Sequence, residues 1–463
     1  MSHYEISMYN KLSYFINTEK TAFPLDLAII FITTEGIQHQ VGGVAKYIRN
    51  YIFFLDKMRD FFREKSVNLT LYAAEPALSN YLPSYCESEF ETVKKTLERS
   101  GGQFYKLINN TNGTAWINPL DNWKALSASA ATVALNVAEK HQATLVFYGS
   151  TCLAMAQVYI HKQLKVFNAD IRTVYLTHDS AFSTFYKEKN EDILSMDYLC
   201  SQWTKFTPNA KIGFVSEYMK NLFSENYMVK EEAFIPSRSG VILEEDRYSP
   251  LTQEHIISLL EKYKIPLDKK IIFSWGRADG YKRLDLIFAA TEYLNEEFFA
   301  VAVTNSKFSE LSNYISKGSF KGILIENYKS FELINALLSW NNTVAICLLS
   351  ENEPGAMAPM EAMLLCKRGG GVVITNSGGF YKEIIIDKKN GFLVKNKAKE
   401  LSEKILELQE ITEERKREVQ QNSYETILNG YNQKKNYIDT LITAVPQLHR
   451  FRTELIQKAT EVG

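Results

Sequence analysis

The chain has 463 residues and a formal net charge of -1, and its composition is 45% hydrophobic and 23% charged. This length exceeds that of one ordinary core and predicts two domains of about 200 residues each. The balanced charge argues against a general nucleic-acid binder, which carries a basic excess, and the apolar content is typical of a soluble globular protein.

Three features of the sequence concern its cellular compartment. The five cysteines show no paired or metal-type spacing, so we expect reduced thiols in the core. The N-terminus shows no signal peptide and no apolar run is long enough to span a bilayer, so a cytoplasmic protein is expected. Residues 1–24 are polar and aromatic without a clear period, and we expect an arm or part of a helix there.

The first glycine-rich turn follows an apolar strand predicted at Leu25–Thr33. Gly42 and Gly43 then lead into a helix predicted over Ala45–Lys65. A strand that ends in a glycine turn before a helix is a phosphate-binding arrangement of α/β sheets. A tight turn without a ligand would explain the two glycines about equally well.

The helix after this turn has a broad apolar face with interleaved basic residues. Ile48, Ile52 and Leu55 lie on that face, and Arg49 and Arg59 are among the basic residues. A helix on a membrane surface has a similar pattern, but packing against the core is the commoner explanation. Peripheral membrane contact is therefore not favoured.

Strands and helices alternate through the first half of the chain. Further strands are predicted at Leu69–Ala73, Phe104–Ile108, Thr144–Tyr148, Thr173–Thr177 and Ile212–Val215, and helices at Glu87–Arg99, Ala125–Lys140 and Leu153–Gln163. This alternation predicts a parallel sheet covered on both faces, in which ligands bind at the carboxyl ends of the strands. His178 stands directly after one of these strands, although a lone histidine is more often structural.

The second half of the chain begins after a crossing segment near Leu243–Leu251. We predict one domain at residues 1–245 and a second at residues 246–430. A helical segment follows at 431–463, and the sequence leaves open whether it crosses back to the first domain. A helix at Gln253–Tyr263 and a strand at Lys270–Trp275 are predicted to open the second domain.

Basic residues follow the strand Lys270–Trp275. Gly276 and Arg277 come first, and Lys282 precedes a helix predicted from Leu284. A forked guanidinium and a compact ammonium suit a diphosphate leaving group, which gathers negative charge as its bond breaks. The alternative is two surface cations near a turn.

A later strand, turn and helix contain two acids. The strand is predicted at Val344–Leu349, and the helix begins at Ala356. The candidate site residues here are Glu353, Pro354, Gly355, Ala356, Met357 and Glu361. Free N–H groups at a helix start face whatever lies at the strand end and form an anion site. Strands at Phe299–Thr304 and Gly322–Ile325 precede this unit, and Tyr328 follows the second of them.

These residues occur in an order that resembles one enzyme family. Glu353-x7-Glu361, the turn Ser377-Gly378-Gly379 and the triplet Asn390-Gly391-Phe392 look like the retaining GT-B glycosyltransferases. That group includes sucrose-phosphate synthases, glycogen synthases and many bacterial mannosyl- and glucosyltransferases. The resemblance spans roughly residues 25–430 and is stronger in the second domain. The sequence departs from the family after Glu-Pro, where Gly355 and Ala356 replace the usual aromatic residue and glycine.

The resemblance implies an α/β fold of the GT-B type, with two Rossmann-like domains facing each other across a cleft. It implies a retaining hexosyltransferase that needs no cofactor and no metal. The chain also has no Asp-x-Asp motif, which anchors the metal in the other glycosyltransferase fold. The donor partner would be a nucleotide diphosphate sugar, with a UDP-sugar favoured and a GDP-sugar next. The acceptor is unknown, and no nucleic-acid partner is expected.

The resemblance also gives each candidate residue a role. The residues implied in catalysis are Glu353, His178, Arg277 and Lys282. Glu353 and His178 would touch the donor sugar, and Glu361 would bind the ribose. The diphosphate would be held by Gly42, Gly43, Gly276, Arg277, Lys282 and the backbone of Pro354, Gly355, Ala356 and Met357. Tyr328 would border the base, or is a surface aromatic. In this group the leaving phosphate accepts the proton, so no nucleophile is named.

Two other hypotheses suit a GT-B chain. An epimerase or phosphorylase is less favoured, because the motif order suits transferases and the cofactor-lysine motif of a phosphorylase is not found. A non-catalytic subunit that scaffolds an active partner is also less favoured. Such a subunit need not keep the set Arg277, Lys282, Glu353 and Glu361.

Overall fold

The described part of the chain folds into two parallel β-sheets with helices on their faces. The structure, a computed structural model, describes residues 24–39, 42–82, 84–110, 120–149, 151–163, 170–182, 191–328 and 330–462. The arm or helix expected within residues 1–24 lies outside the described residues, apart from Pro24.

The first sheet has seven strands in the order β3-β2-β1-β4-β5-β6-β7. These are β1 (Leu25–Ile32), β2 (Val67–Pro76), β3 (Phe104–Leu107), β4 (Ala143–Tyr148), β5 (Asp170–Leu176), β6 (Ala210–Phe214) and β7 (Phe234–Pro236). Its helices are α1 (Gly43–Lys57), α2 (Arg59–Glu64), α3 (Glu87–Arg99), α4 (Leu120–Ala138), α5 (Met155–Gln163), α6 (Glu191–Trp203) and α7 (Glu217–Tyr227). β4 is buried along its whole length, because helices cover both faces of the sheet.

The second sheet has six strands in the order β10-β9-β8-β11-β12-β13. These are β8 (Lys270–Gly276), β9 (Phe298–Thr304), β10 (Gly322–Ile325), β11 (Thr343–Leu348), β12 (Val372–Thr375) and β13 (Phe392–Leu393). Its helices are α8 (Gln253–Lys262), α9 (Asp285–Ala290), α10 (Ser309–Lys317), α11 (Glu332–Ser339), α12 (Met357–Leu365), α13 (Tyr381–Ile384), α14 (Ala398–Glu410) and α15 (Glu413–Gly430). The strand orders of the two sheets follow the same Rossmann pattern, so the predicted fold class is confirmed.

One predicted element needs correction. The helix expected over Ala45–Lys65 is interrupted at Met58, where α1 ends and α2 begins. Met58 N donates to Phe54 O at 3.1 Å, and Phe62 N donates to Met58 O at 3.0 Å. Helical hydrogen bonds therefore bridge the interruption, which is a local irregularity at a fully buried methionine rather than a loop.

The apolar face of α1 packs inside the protein. Ile48, Ile52 and Leu55 are fully buried in a core cluster between α1 and the first sheet. This burial confirms the core-packed interpretation of the helix. Among the helices of the described residues, none has the length and apolar character needed to cross a membrane.

The C-terminal helices return to the first sheet. These are α16 (Gln433–Ala444) and α17 (Arg452–Glu461). Tyr437 of α16 stacks on Tyr51 of α1 with ring centroids 4.0 Å apart, and its hydroxyl donates to Tyr47 O at 2.7 Å. Thr440 Oγ1 donates to Pro236 O at 2.7 Å. The end of the chain thus packs against α1 and β7.

Candidate active site

A cavity of about 480 Å³ lies between the two sheets. The loops after β1, β4 and β5 of the first sheet and after β8 and β11 of the second line it, as expected for parallel sheets that bind ligands at the carboxyl ends of their strands. We call it the inter-sheet cavity. All residues predicted for the site line it: Gly42, Gly43, His178, Gly276, Arg277, Lys282, Tyr328, Glu353, Pro354, Gly355, Ala356, Met357 and Glu361.

Two helix N-termini face each other across this cavity. α1 begins at Gly43 and α12 begins at Met357, and a Cβ atom on Gly43 would lie 3.5 Å from Met357 Cγ. The N-cap residues are Gly42 and Ala356, which have no polar side chain, and the first turn of each helix lacks an acidic residue. At α1 the Glu35 carboxylate already accepts from Gly42 N at 2.8 Å, and the positive dipole ends of both helices favour an anion in the cavity.

Lys282 and Glu353 form an ion pair at the wall of the cavity. Lys282 Nζ donates to Glu353 Oε1, and the two side chains are only 15% and 7% exposed. Burial works to lower the pKa of Lys282, but the Glu353 carboxylate and the Tyr281 phenol raise it above its ordinary value. Lys282 therefore keeps its positive charge inside the cavity.

Glycine at position 276 makes room for this lysine. A Cβ atom on Gly276 would lie 3.3 Å from Lys282 Cδ and 3.4 Å from Lys282 Cγ. The lysine stem passes directly over the end of β8, so a side chain at position 276 would press against the stem that carries the ammonium.

Tyr281 lies between the two predicted cations and was missed by the sequence analysis. Its hydroxyl accepts from Arg277 Nη2 at 2.6 Å, and its ring centroid lies 4.8 Å from Lys282 Nζ. Tyr281 is 6% exposed, so it fixes both cations from a buried position. Its only sequence signal is its place between Arg277 and Lys282 in a short loop, which does not predict which way its side chain points.

Glu361, in α12, is held by two residues of the crossing segment. Arg247 Nη2 donates to Glu361 Oε1, and Tyr248 OH donates to the same oxygen at 3.1 Å. The Arg247 guanidinium also lies over the rings of Tyr248 and Phe331, 4.5 and 4.6 Å from their centroids. Neither Arg247 nor Tyr248 was predicted as a site residue.

A further acid connects this group to α1. Glu245 accepts from Arg247 Nε and from Lys46 Nζ at 2.6 Å each, and from Asn50 Nδ2 at 3.0 Å. Burial first, and then the nearby Glu361 carboxylate, raise the pKa of Glu245, whereas the cationic donors Lys46 and Arg247 stabilise its carboxylate form. The crossing segment therefore ties Glu361 of the second sheet to α1 of the first.

His178 lies at the end of β5 and faces the ring of Tyr47, with centroids 5.0 Å apart. Burial lowers the pKa of His178 to about 4, so the imidazole is neutral near pH 7. Its Nε2 is buried and has no hydrogen-bond partner among the described residues. A neutral ring nitrogen with spare hydrogen-bonding capacity suits contact with a hydroxyl group.

The loop of Pro354 and Gly355 packs directly against the first sheet's half of the protein. Ser216 Oγ donates to Pro354 O, and a Cβ atom on Gly355 would lie 3.1 Å from Ser239 Oγ and 3.2 Å from Val215 Cγ2. No room is left for the aromatic residue usual in the resembling family. This packing gives the departure at Gly355 a physical reason.

Glu383 makes a second contact across the cleft. Its Oε2 accepts from Glu217 N at 2.7 Å and from Tyr218 N at 3.3 Å. These are N–H groups in the first turn of α7, so an acid from the second half of the chain neutralises a helix N-terminus in the first. The two halves are therefore in contact at the site.

Residues 257–426 match the model of the family described as "Glycosyl transferases group 1". This part of the chain is therefore similar to group 1 glycosyltransferases. The matched region contains β8 to β13, and Arg277, Lys282, Glu353 and Glu361 lie in it. No curated protein sequence matches the chain significantly.

Solved structures with the same fold cover nearly the whole chain. A glycosyltransferase from Rickettsia africae ESF-5 has 17% identity and a TM-score of 0.62, and the match covers 94% of this chain and 99% of that one. Sucrose-phosphate synthase from Thermosynechococcus elongatus has 14% identity and a TM-score of 0.64, with 92% and 98% covered. Anabaena HepE, solved with UDP and glucose, has 15% identity and a TM-score of 0.62, with 92% and 99% covered. The chain thus has the GT-B fold, and the region similar to group 1 glycosyltransferases lies in its second half.

Proposed function

We propose that this protein transfers a hexosyl unit from a nucleotide diphosphate sugar to an acceptor hydroxyl, with retention of the anomeric configuration. The observation that carries the proposal is the Lys282–Glu353 ion pair, with Arg277 nearby, in a cavity that two helix N-termini also face. A cation pair and two positive dipole ends beside a buried acid are suited to a departing diphosphate next to a sugar.

The donor would span the cavity from one sheet to the other. Its diphosphate would bind Arg277, Lys282 and the amides at the starts of α1 and α12. Glu353 and the neutral His178 would orient the sugar. Glu361 would take the ribose hydroxyls, which would compete with Arg247 and Tyr248 for its carboxylate.

The base would lie near Tyr328. This residue lines the cavity, and burial raises the pKa of its phenol to about 12. The phenol is therefore neutral near pH 7, and its ring offers an apolar face to a base.

We propose that the reaction needs no metal and no cofactor. The leaving diphosphate would be neutralised by the fixed cations Arg277 and Lys282. Its own oxygen would accept the acceptor's proton on the face where the new bond forms, which accounts for retention without a protein nucleophile.

A UDP-sugar is the favoured donor, and a GDP-sugar is next. Support comes from HepE, a protein of the same fold that was solved with UDP and glucose. Water would hydrolyse an activated sugar, so the site needs to exclude water when the donor is bound. The contacts of Ser216 and Glu383 across the cleft support a site that closes on the donor.

We also propose domain boundaries at residues 245 and 430. The first domain would include the first sheet, and the second would start in the crossing segment. The segment 431–463 would belong functionally to the first domain, which is supported by the stacking of Tyr437 on Tyr51.

Isothermal titration calorimetry of the full chain with UDP and GDP tests this proposal. We expect micromolar to millimolar binding of one nucleotide, together with slow release of that nucleotide from its hexose conjugate. Lys282→Met should weaken nucleotide binding and slow the release of the nucleotide from its hexose conjugate. If neither UDP nor GDP bound, the proposal would be contradicted and a non-catalytic GT-B subunit would be favoured.

A further inference from the structure

The wall of the inter-sheet cavity on the first sheet's side holds groups that the proposed donor site does not use. Glu35 follows β1, Trp123 lies on α4, Cys152 follows β4, and Asp179 follows β5. They line the same cavity as His178, on the side opposite Arg277 and Lys282. We call these four residues the acceptor wall.

Glu35 is a fixed carboxylate at the mouth of the first glycine turn. It is 9% exposed, its Oε2 accepts from Gly42 N at 2.8 Å, and its backbone carbonyl accepts from Thr33 Oγ1 at 2.7 Å. The bond from Gly42 N holds the carboxylate at the glycine turn, and the bond from Thr33 fixes the backbone of Glu35. A carboxylate has several acceptor sites, so a ligand hydroxyl can donate to the same group.

Asp179 is the second carboxylate of the acceptor wall. Its Oδ1 accepts from Thr151 Oγ1 at 2.7 Å and from Thr151 N at 3.2 Å. Within the described residues, Asp179 accepts these bonds through Oδ1, and its Oδ2 can accept from a ligand hydroxyl.

Trp123 supplies an independent sign of a ligand. The residue is 6% exposed and lines the cavity, yet its indole Nε1–H is buried without a partner among the described residues. A buried donor without an acceptor is costly, so an oxygen atom of a bound molecule would stabilise it. The indole also presents a flat apolar surface, which suits the C–H face of a sugar ring.

Among the described residues, the positive side chains that line the cavity are engaged with acids or with Tyr281. Lys46 pairs with Glu245, Arg247 with Glu245 and Glu361, and Lys282 with Glu353. Arg277 bonds Tyr281 and lies on the donor side. Arg277 and Lys282 would hold the donor diphosphate, and Lys46 and Arg247 are paired with Glu245 and Glu361. Among the described residues, no further cation lines the cavity, so a phosphate or carboxylate on the acceptor would meet the Glu35 carboxylate without a cation of its own.

We infer that the acceptor is a neutral polyhydroxylated molecule, a sugar whose part in the cavity carries no phosphate or carboxylate. Its hydroxyls would donate to Glu35 and Asp179 and accept from Trp123. This inference rests on the proposed function. In the reaction, the acceptor oxygen bonds to the anomeric carbon as the bond from that carbon to the phosphate oxygen breaks. The acceptor proton passes to the departing diphosphate, and the products are a glycoside and a nucleoside diphosphate.

Matched acceptor pairs test the inference on the full chain. Release of UDP from UDP-glucose is measured with glucose, fructose, mannose or N-acetylglucosamine and with the 6-phosphate of each. We expect at least one neutral sugar to raise UDP release about tenfold or more over donor hydrolysis, and its 6-phosphate to raise it far less. Equal or greater stimulation by a 6-phosphate, or no stimulation by any neutral sugar, would overturn the inference.

The donor assay separates this failure from that of the proposed function. Absence of nucleotide binding and of donor hydrolysis would contradict the proposed function itself. Nucleotide binding with turnover that favours phosphorylated sugars would contradict only the acceptor class.

Two variants locate the acceptor on this wall. Trp123→Phe removes the N–H group and should raise the acceptor KM about threefold to tenfold, the value of one hydrogen bond. Trp340→Phe is the matched control, because Trp340 is 8% exposed and its Nε1 also lacks a partner among the described residues, but it lies in the second sheet's core. An equal change of KM in both variants would contradict the assignment of Trp123.

Glu35→Gln tests the charge argument directly. An amide oxygen can still accept from Gly42 N, whereas the negative charge is lost. We expect the rate with a 6-phosphate, relative to its neutral sugar, to rise about fivefold or more. An unchanged ratio would show that Glu35 does not exclude anionic acceptors and would overturn that part of the inference.

Discussion

Lys282 and Glu353 form an ion pair in which both side chains are mostly buried, so each residue depends on the other. Lys282→Met removes the ammonium and keeps most of the aliphatic stem. We expect sugar transfer to fall about a hundredfold or more, because the leaving diphosphate loses a fixed cation. Unfolding should become easier by about 3–5 kcal/mol, because the Glu353 carboxylate is left buried and unpaired. Initial rates and urea unfolding measure the two effects.

A double variant separates these two effects. Lys282→Met combined with Glu353→Gln leaves no unpaired charge, so the free energy of unfolding should return to within about 1 kcal/mol of the parent. Transfer should stay lost, because neither the cation nor the acid is restored. If the single variant were as stable and as active as the parent, the pair would have neither role.

His161 provides a pH-dependent prediction. It is buried on α5 with Nε2 2.8 Å from Thr173 Oγ1, and burial lowers its pKa from 6.5 to about 4. The unfolded state then binds more protons between these two pKa values, so stability falls as the pH falls from 6.5 towards 4. This residue alone accounts for about 3 kcal/mol of that loss. In His161→Gln the loss of unfolding free energy over this pH range should be smaller, and an identical pH profile would contradict the assignment.

The loop between β11 and α12 packs against the first half of the protein and so fixes the position of the catalytic groups in the cleft. Gly355→Val should force this loop away from Val215 and Ser239. A Cβ atom added at Gly355 would lie within 3.2 Å of both residues, and valine adds two more carbons. We expect transfer to fall about tenfold to a hundredfold, because groups displaced by about 1 Å no longer fit the reacting geometry. Steady-state kinetics measure this loss.

Gly280→Val, in a different loop of the same cavity region, is the control for the Gly355 substitution. Gly280 lies in the loop after β8, and a Cβ atom there would meet no atom within 4 Å. The same enlargement in open space should leave kcat/KM within about twofold of the parent. If both variants lost activity equally, close packing of the Gly355 loop would not be the reason.

At the scale of the whole molecule, local sequence patterns predicted the site residues that follow the end of a strand. Arg277 and Lys282 come shortly after β8, and Glu353 follows β11, so an apolar run and its turn placed them at strand ends, and the family resemblance gave them their roles. The alternation of these runs with helices also predicted both parallel sheets, because only a sheet covered on both faces buries such strands.

Contacts between distant parts of the chain could not be found in this way. Lys46 and Glu245 are 199 residues apart, and Arg247 and Glu361 are 114 residues apart. Each pair forms only because the crossing segment packs against α1 in the first half of the chain and against α12 in the second. That arrangement depends on packing between surfaces that have no periodic pattern of their own, such as Gly355 against Val215.

The first of the two C-terminal helices, α16, links overall stability to the site. Tyr437 of α16 packs on Tyr51, its hydroxyl bonds Tyr47 O, and the ring of Tyr47 in turn contacts His178. Tyr437→Ala should lower the free energy of unfolding by about 3–5 kcal/mol and should also lower kcat, because Tyr47 loses its support. Phe288→Ala, a fully buried residue in the second sheet's core, should cost similar stability and spare kcat. Urea unfolding measures the stability of both variants, and kcat is measured at a temperature where both remain folded. Equal losses of kcat in the two variants would show that α16 supports only the fold.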